Sequence, residues 1–431
     1  MNDVKKNELN VYFQAQLVGT ISTDDEAKIN FEYENSWVEN DNSFPISISL
    51  PLNAEQTNQE SANNFFVNLL PEERIRARTC KKFGISDGNN FELLRRIGAE
   101  CAGALTILPT EEKPKVDEYE YEYETITETR LVKWSKGDGN AFAEEAGENN
   151  VRLSLAGAQD KMPVMVRNSE FWLGKGSAPS THILKFPSSR FSHLPENEVF
   201  TTMLADSVGL PVVKAGLRSV QLTPKTESRI AVIKRYDRYN EGANLLRLHQ
   251  EDFCQALGFG PHRKYEEDGG PSLSDCAELI RENSSVPAIE LEKFLRWVIF
   301  NWLCHNADGH AKNISFLFTE DGKTELAPFY DLVCTGNYTR QQIARALAMK
   351  IGGESSPGAI GIKNLERFSS DTEMPLRNVK ENAIEIASRL LENLEQQTHE
   401  FELTFGNSPI LQRIPRIAER RCERALKFLK K

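Results

Sequence analysis

The sequence offers little that would fix its chain covalently or seat it in a membrane. Its seven cysteines, Cys80, Cys101, Cys254, Cys276, Cys304, Cys334 and Cys422, are scattered, odd in number and include no C-x-x-C pair. That argues against a disulfide frame and a cysteine zinc site, and for a reducing compartment. Met1 to Gln14 is polar, so no secretory signal is expected. The longest apolar stretch, around Trp297 to Cys304, is too short to cross a bilayer. A soluble cytoplasmic protein is expected, with no membrane partner. Positive charge is in deficit: 52 Lys and Arg stand against 63 Asp and Glu, a net charge of −11. Phosphate binding draws on Lys and Arg, so such a chain does not dominate a nucleic-acid contact. A local patch or a basic partner could still bring it to DNA. Internal repeats, G-x-G-x-x-G and H-E-x-x-H are also missing.

What is present is ordinary in bulk and particular in its order. A chain of 431 residues, 39% hydrophobic and 27% charged, is long enough for two or three folded units. Leu9 to Ser49 alternates in short runs broken by turn residues, which predicts a small antiparallel sheet. Phe65 to Leu70 before Pro71 reads as a helix start, Phe91 to Ile97 has helical spacing, and Gly103 to Leu108 reads as a closing strand. Residues 1–110 are therefore expected to form an α+β subdomain. Residues 111–145 are dense in Glu and Tyr, compatible with a solvated linker or loop and equally with an exposed edge strand. Residues 146–236 carry short β-rich runs around a helix at Glu196 to Val208, stopped by Gly209. After Tyr239 the periodicity reads as helical to the end, giving a unit at 237–431. The basic end of the last helix, Arg420 to Lys431, complements the helix dipole. The fold class that follows is α+β: two lobes, the first β-rich with an extra N-terminal subdomain, the second all-α.

The segment with most chemistry is His305-Asn-Ala-Asp308-Gly-His310-Ala-Lys312-Asn313. D-x-x-x-x-N is the spacing of a phosphotransferase catalytic loop, where Asp accepts the substrate hydroxyl proton and Asn holds magnesium. Downstream, Tyr330-Asp331 closes an apolar run where a second hard oxygen ligand is needed. The Phe-Gly that follows this Asp in protein kinases is replaced by Leu332-Val333. Upstream, Lys185 sits inside the apolar strand Thr181-His-Ile-Leu-Lys, costly unless anions meet it. Phosphates and a carboxylate from the next helix, Glu196 or Glu198, would serve; a lysine snorkelling at a strand edge is the plainer alternative. Ser154-Leu-Ala-Gly-Ala-Gln-Asp-Lys161 places small residues between strands, where backbone amides can approach phosphate or simply turn a hairpin. His305, Asp308 and His310 as metal ligands of a hydrolase form a rival reading, unsupported by a second histidine cluster.

These segments, with Arg247-Leu-His-Gln-Glu-Asp-Phe-Cys254, Phe65-Phe-Val-Asn-Leu-Leu-Pro71 and Cys101-Ala-Gly-Ala-Leu-Thr, resemble the HipA family of toxin kinases from bacterial toxin–antitoxin modules. The resemblance runs in order along almost the whole chain. It implies a fold distantly related to protein kinases that uses ATP and Mg2+. It makes Asp308 the catalytic base and Asn313 and Asp331 the metal ligands. It assigns Ala156, Gly157, Ala158, Gln159, Asp160 and Lys161 to a phosphate loop and Lys185 to the phosphates, with Glu198 as a partner of that lysine. It puts Lys234, Arg235 and Tyr236 at the hinge near adenine, and His310, Lys312 and Tyr330 in the nucleotide site. It implies inhibitory autophosphorylation at Ser154, an aminoacyl-tRNA synthetase substrate (glutamyl-tRNA synthetase in the best-known member), and a helix-turn-helix antitoxin like HipB. Operator DNA would be reached mainly through that antitoxin, with Arg74, Arg76, Arg78, Lys81 and Lys82 as a local patch or simply a solvated helix face. Lys234 departs from the best-known member, which is acidic there, and the Glu/Tyr segment has no counterpart. Two other classes remain: a kinase-fold co-repressor without catalysis, and a small-molecule phosphotransferase.

Overall fold

Alternation near the N-terminus does build a sheet. The computed structural model describes residues 8–53, 57–116, 118–136, 141–146, 152, 159–241 and 244–430. Four antiparallel strands lie in the order Ile29–Tyr33, Gln16–Thr23, Glu8–Phe13 and Leu105–Pro109. Leu9, Val11, Ile21 and Phe31 go inward, as a two-residue period requires. A Cβ on Gly19 would lie 2.3 Å from the Glu32 carbonyl, so only glycine lets those strands close up. The helix expected to begin at Phe65 ends there instead. Asn58 accepts from the Ser61 amide and starts the helix Gln59–Asn68 earlier. Pro71 lies in the break before the next helix, Glu73–Phe83.

The second sheet has six strands in the order Tyr123–Thr125, Glu170–Gly174, Lys161–Arg167, His182–Lys185, Thr226–Lys234 and Ala215–Thr223. Residues 111–145, expected as a linker, loop or edge strand, hold the edge strand Tyr123–Thr125 and the short helices Glu128–Trp134 and Ala141–Glu145. Trp134 and Phe142 are buried there. Three strand residues are too few to show a period, which is why the sequence left this segment open. The two faces of the sheet divide the molecule. Leu184, Phe186 and Ile230 join the core of the N-terminal sheet. Ile183, Ala231 and Ile233 face the core of the other lobe. Lys185, two residues from Ile183, is on that second face.

The helix Leu194–Ser207 packs into the large-lobe core with Leu273–Asn283, Pro287–Cys304, Ile362–Asp371, Leu376–Phe405 and Ile410–Leu429. Helical periodicity is not unbroken after Tyr239. A hairpin, Arg238–Glu241 with Asn244–Arg247, and a sheet of His249–Asp252, Ser315–Phe318 and Thr324–Leu326 interrupt it. These strands have three or four residues each, below the length at which alternation is legible. Among the described residues no helix is long and apolar enough to cross a membrane.

A buried ionic network fixes the N-terminal subdomain to the join between lobes. Glu100 Oε1 meets Arg235 Nη1 at 2.8 Å and Arg238 Nη2 at 2.7 Å. Asp237 Oδ2 meets Arg235 Nη2 at 2.7 Å and accepts from the Gly103 amide at 2.8 Å. Gly103 has φ +75° and its missing Cβ would stand 3.0 Å from the Gln250 amide nitrogen, so the approach needs glycine.

Candidate functional site

The helix Pro287–Cys304 ends where His305 turns into the left-handed region, φ 54°. The loop that follows is pinned by its own backbone. Asn306 Oδ1 accepts from the Asp308 amide at 3.1 Å, and the Ala307 amide donates to Thr335 Oγ1 at 2.9 Å. The Asp308 carbonyl accepts from the His310 amide and from Asn313 Nδ2, both at 2.9 Å. With its nitrogen so engaged, Asn313 keeps its side-chain oxygen for another partner. The Asp308 side chain is 45% exposed, with its Oδ1 3.8 Å from His310 Nε2.

Across the cleft, Lys185 Nζ donates to Glu198 Oε1 at 2.5 Å and to Asp331 Oδ1. Asp331 has φ 54°, a strained backbone for a non-glycine residue and common where geometry serves a site. Burial works against the Lys185 charge, but Asp331 and Glu198 outweigh it and hold the ammonium protonated above its usual range. Burial likewise opposes ionisation of Asp331, yet Lys185 and Lys161 hold its carboxyl below the usual range. Lys161 lies directly opposite Lys185 in strand register. Burial lowers its ammonium to about 8 despite the pull of Asp331. Side by side, the two lysines oppose each other's charge, so Lys161 carries its charge at a cost that an anion in the cleft would relieve.

Gln159, Asp160, Lys161, Lys185, Glu198, Lys234, Arg235, Tyr236, Asp308, His310, Lys312, Asn313, Tyr330 and Asp331 all line one cleft of about 810 Å³. Their side chains do not all face it in the same way. The Arg235 guanidinium is taken up by Asp237, Glu100 and the Cys101 carbonyl, leaving its backbone to the cleft. Lys312 Nζ is held at the cleft wall by Asn68 Oδ1 at 2.8 Å and Glu72 Oε1 at 2.9 Å. Asp160 accepts from the amides of Ala141 and Phe142 at 3.0 and 3.2 Å, and Gln159 donates to the Phe186 carbonyl at 3.3 Å. Tyr330 hydroxyl donates to the Lys312 carbonyl at 2.9 Å, and its ring stacks on Tyr236 at 5.8 Å. Of the two carboxylates offered for Lys185, Glu198 is the partner, while Glu196 meets His193 at 3.0 Å. Ser154, Ala156, Gly157 and Ala158 lie outside the described residues.

The donor set fits one hard divalent ion held with a polyphosphate. Asp331 and the side-chain oxygen of Asn313 would supply one carboxylate and one amide, and magnesium characteristically takes the rest from phosphates and water. The Lys185 ammonium stands on the Asp331 carboxylate as a cation there would. The hydrolase reading loses its third ligand, because His305 Nδ1 faces Arg421 Nη2 at 3.4 Å instead of the cleft. Two participants escaped the sequence. Glu72 bridges Lys312 and Lys264, and the Tyr265 hydroxyl donates to Asp308 Oδ1 at 2.7 Å. Both come from segments distant in sequence from the Asp308 loop, and no local pattern in the sequence marks them.

Comparison with known proteins gives one direction. The family described as HipA-like C-terminal domain matches residues 153–398, and HipA N-terminal domain matches residues 9–108. The protein Y4mE of Sinorhizobium fredii is 36% identical over 398 residues, 89% of this chain and 92% of that one. The serine/threonine-protein kinase toxin HipA of Shewanella oneidensis is 31% identical over 411 residues, 90% and 89% of the two chains. A solved complex of Shewanella oneidensis HipA, HipB and operator DNA superposes with TM-score 0.81 at 28% identity, covering 98% of each chain.

Proposed function

The chain belongs to the HipA family of serine/threonine-protein kinases, and from that premise we propose that it transfers the γ-phosphoryl group of ATP to a protein serine, with Asp308 as base. The supporting observation is the meeting of Lys185, Glu198 and Asp331 with Asp308 and Asn313 around one cleft. Asp308 receives the proton of the acceptor hydroxyl as its oxygen bonds to phosphorus and the bond to the leaving ADP breaks. Lys185 and Lys161 balance the phosphate charge, and Asp331 and Asn313 would hold Mg2+. That ion supplies neutralisation of the charge shared between β- and γ-phosphates. The Tyr236 backbone and the Tyr236–Tyr330 stack would border the adenine.

The physiological role follows the family toxin. The acceptor would be an aminoacyl-tRNA synthetase, glutamyl-tRNA synthetase by resemblance, and the partner a HipB-like antitoxin carrying the pair to operator DNA. The net charge of −11 suits a basic DNA-binding partner. Autophosphorylation at Ser154 would place nearly two negative charges where ATP must put its own, and so lower nucleotide affinity.

The test is direct. Phosphatase-treated protein is incubated with labelled ATP and Mg2+, beside Asp308→Gln. Label on Ser154 in the unsubstituted protein alone is the expected result. If neither protein takes label while both bind ATP, and both still bind an antitoxin–operator complex, the chain is a co-repressor without catalysis.

A further inference from the structure

Asp308 is already engaged. The Tyr265 hydroxyl donates to its Oδ1 at 2.7 Å, and the Tyr265 ring meets His310 edge-on at 5.1 Å. Tyr265 stands between two short 3-10 turns, Pro261–Arg263 and Glu266–Asp268, in a segment held on both sides. Lys264 Nζ ties it to Glu72 Oε2 at 2.7 Å in the N-terminal subdomain. The Glu266 amide donates to the Ala348 carbonyl at 3.0 Å, and Glu266 Oε2 accepts from the Lys350 amide at 2.6 Å, beyond Asp331 in the chain.

A substrate hydroxyl must bring its own hydrogen to this carboxylate, at about 2.6–3.2 Å, before Asp308 can take the proton. A phenol occupies that geometry in the free protein. Its role is not to orient the loop, since the Asp308 amide and carbonyl are fixed by Asn306, His310 and Asn313 without it. Burial and the Asp308 charge push the Tyr265 phenol above its ordinary range, so it stays a donor.

We propose that Tyr265 is a gate: its hydroxyl holds the acceptor's place on Asp308, keeps water from that place, and yields only to a docked protein hydroxyl. The idea rests on Asp308 being the base. It makes Tyr265 a specificity-determining residue, separating protein phosphorylation from wasteful ATP hydrolysis. Its two anchors lie on the N-terminal subdomain and on the segment after Asp331, so a protein docked across both could shift it.

Tyr265→Phe keeps the ring on His310 and removes only the hydroxyl. The full-length, phosphatase-treated variant is assayed for Mg-ATP hydrolysis with no protein substrate, beside the unsubstituted chain and Asp308→Asn. The expected result is a rise in kcat for hydrolysis of about tenfold, the worth of a charge-assisted hydrogen bond, with KM for ATP unchanged. A kcat that is unchanged or lower in Tyr265→Phe overturns the gate, a lower value meaning that the phenol assists Asp308. If Asp308→Asn keeps the unsubstituted rate, the base assignment itself fails. If Asp308→Asn is inactive and Tyr265→Phe is flat, the gate alone fails.

Discussion

Two clusters of charge in this molecule have the same count and opposite construction. Around the interlobe join, Arg235 and Arg238 meet Glu100 and Asp237, each at most 4% exposed, and the carbonyls of Cys101 and Gly103 take further donors. In the cleft, Lys185 meets Glu198 and Asp331 with Lys161 opposite it in register, but the arrangement stays open. Burial drops Lys161 to about 8, and the nearby Asp308 side chain is 45% exposed. The closed cluster has few groups left for a ligand. Arg235 and Asp237 border the same cavity, but their side-chain charges are spent on each other and on Glu100, whereas the open cluster turns Lys161, Lys185 and Asp331 toward the space a ligand would fill. Buried charge by itself does not mark a site; incomplete pairing around a cavity does.

The sharpest way to break this comparison is Asp331→Ala. Lys185 keeps Glu198, so the variant should fold. Its magnesium-dependent ATP affinity should fall about a thousandfold, roughly 4 kcal/mol at about 1.4 per tenfold. Calorimetric titration with and without Mg2+ checks it; equal affinity in both proteins would remove Asp331 from the metal. Next in size is Glu100→Gln in the closed cluster. It leaves two buried guanidiniums with one carboxylate, which should cost about 3 kcal/mol in urea unfolding. ATP affinity of the folded variant should stay within about twofold. A variant as stable as the unsubstituted protein would show that this network contributes nothing net.

The sequence made the open cluster legible and hid the closed one, for physical reasons. Asp308, Asn313, Asp331 and Lys185 stand at spacings that resemble those of a phosphotransferase, so pattern and resemblance both singled them out, and all four line one cleft. Asp237 pairs with Arg235 and Arg238 within two positions, but Glu100 reaches both arginines across more than a hundred, which no local period records. Arg235 was placed near adenine, and only its partners reveal that its side chain turns away. The same holds for Tyr265 and Glu72, which reach the Asp308–Asn313 loop from other elements. In the fold, long helices such as Leu376–Phe405 declared themselves by period, while strands of three or four residues did not. The helix end at Asn68 was misread because Phe65 and Phe66 looked like a beginning, whereas the Asn58 cap had already set one.

The finest test concerns a buried carboxylate that pairs with no cation among the described residues. Glu251 is fully buried; it accepts from the Ser47 hydroxyl at 2.5 Å and the Ile48 amide at 2.9 Å, joining the large lobe to the N-terminal subdomain. Burial raises its carboxyl from 4.5 to about 8, with Asp252 adding to the rise and the two hydrogen bonds opposing it. An acid raised on folding is protonated in the folded chain while ionised in the unfolded one. Its contribution to stability is therefore complete below about 4.5, shrinks as pH climbs, and is gone above about 8. The substitution Glu251→Gln would copy the neutral acid without titrating. Asp252 is raised to about 6 and titrates in the same window, so the comparison must be between variants, where its share cancels. Urea unfolding at several pH values should show Glu251→Gln matching the unsubstituted protein in acid. By the alkaline end of the window it should be the more stable, by up to about 5 kcal/mol. Parallel stability curves would mean that two hydrogen bonds suffice to keep a buried carboxylate ionised. Pairing with a cation would then cease to be what separates a closed cluster from an open one.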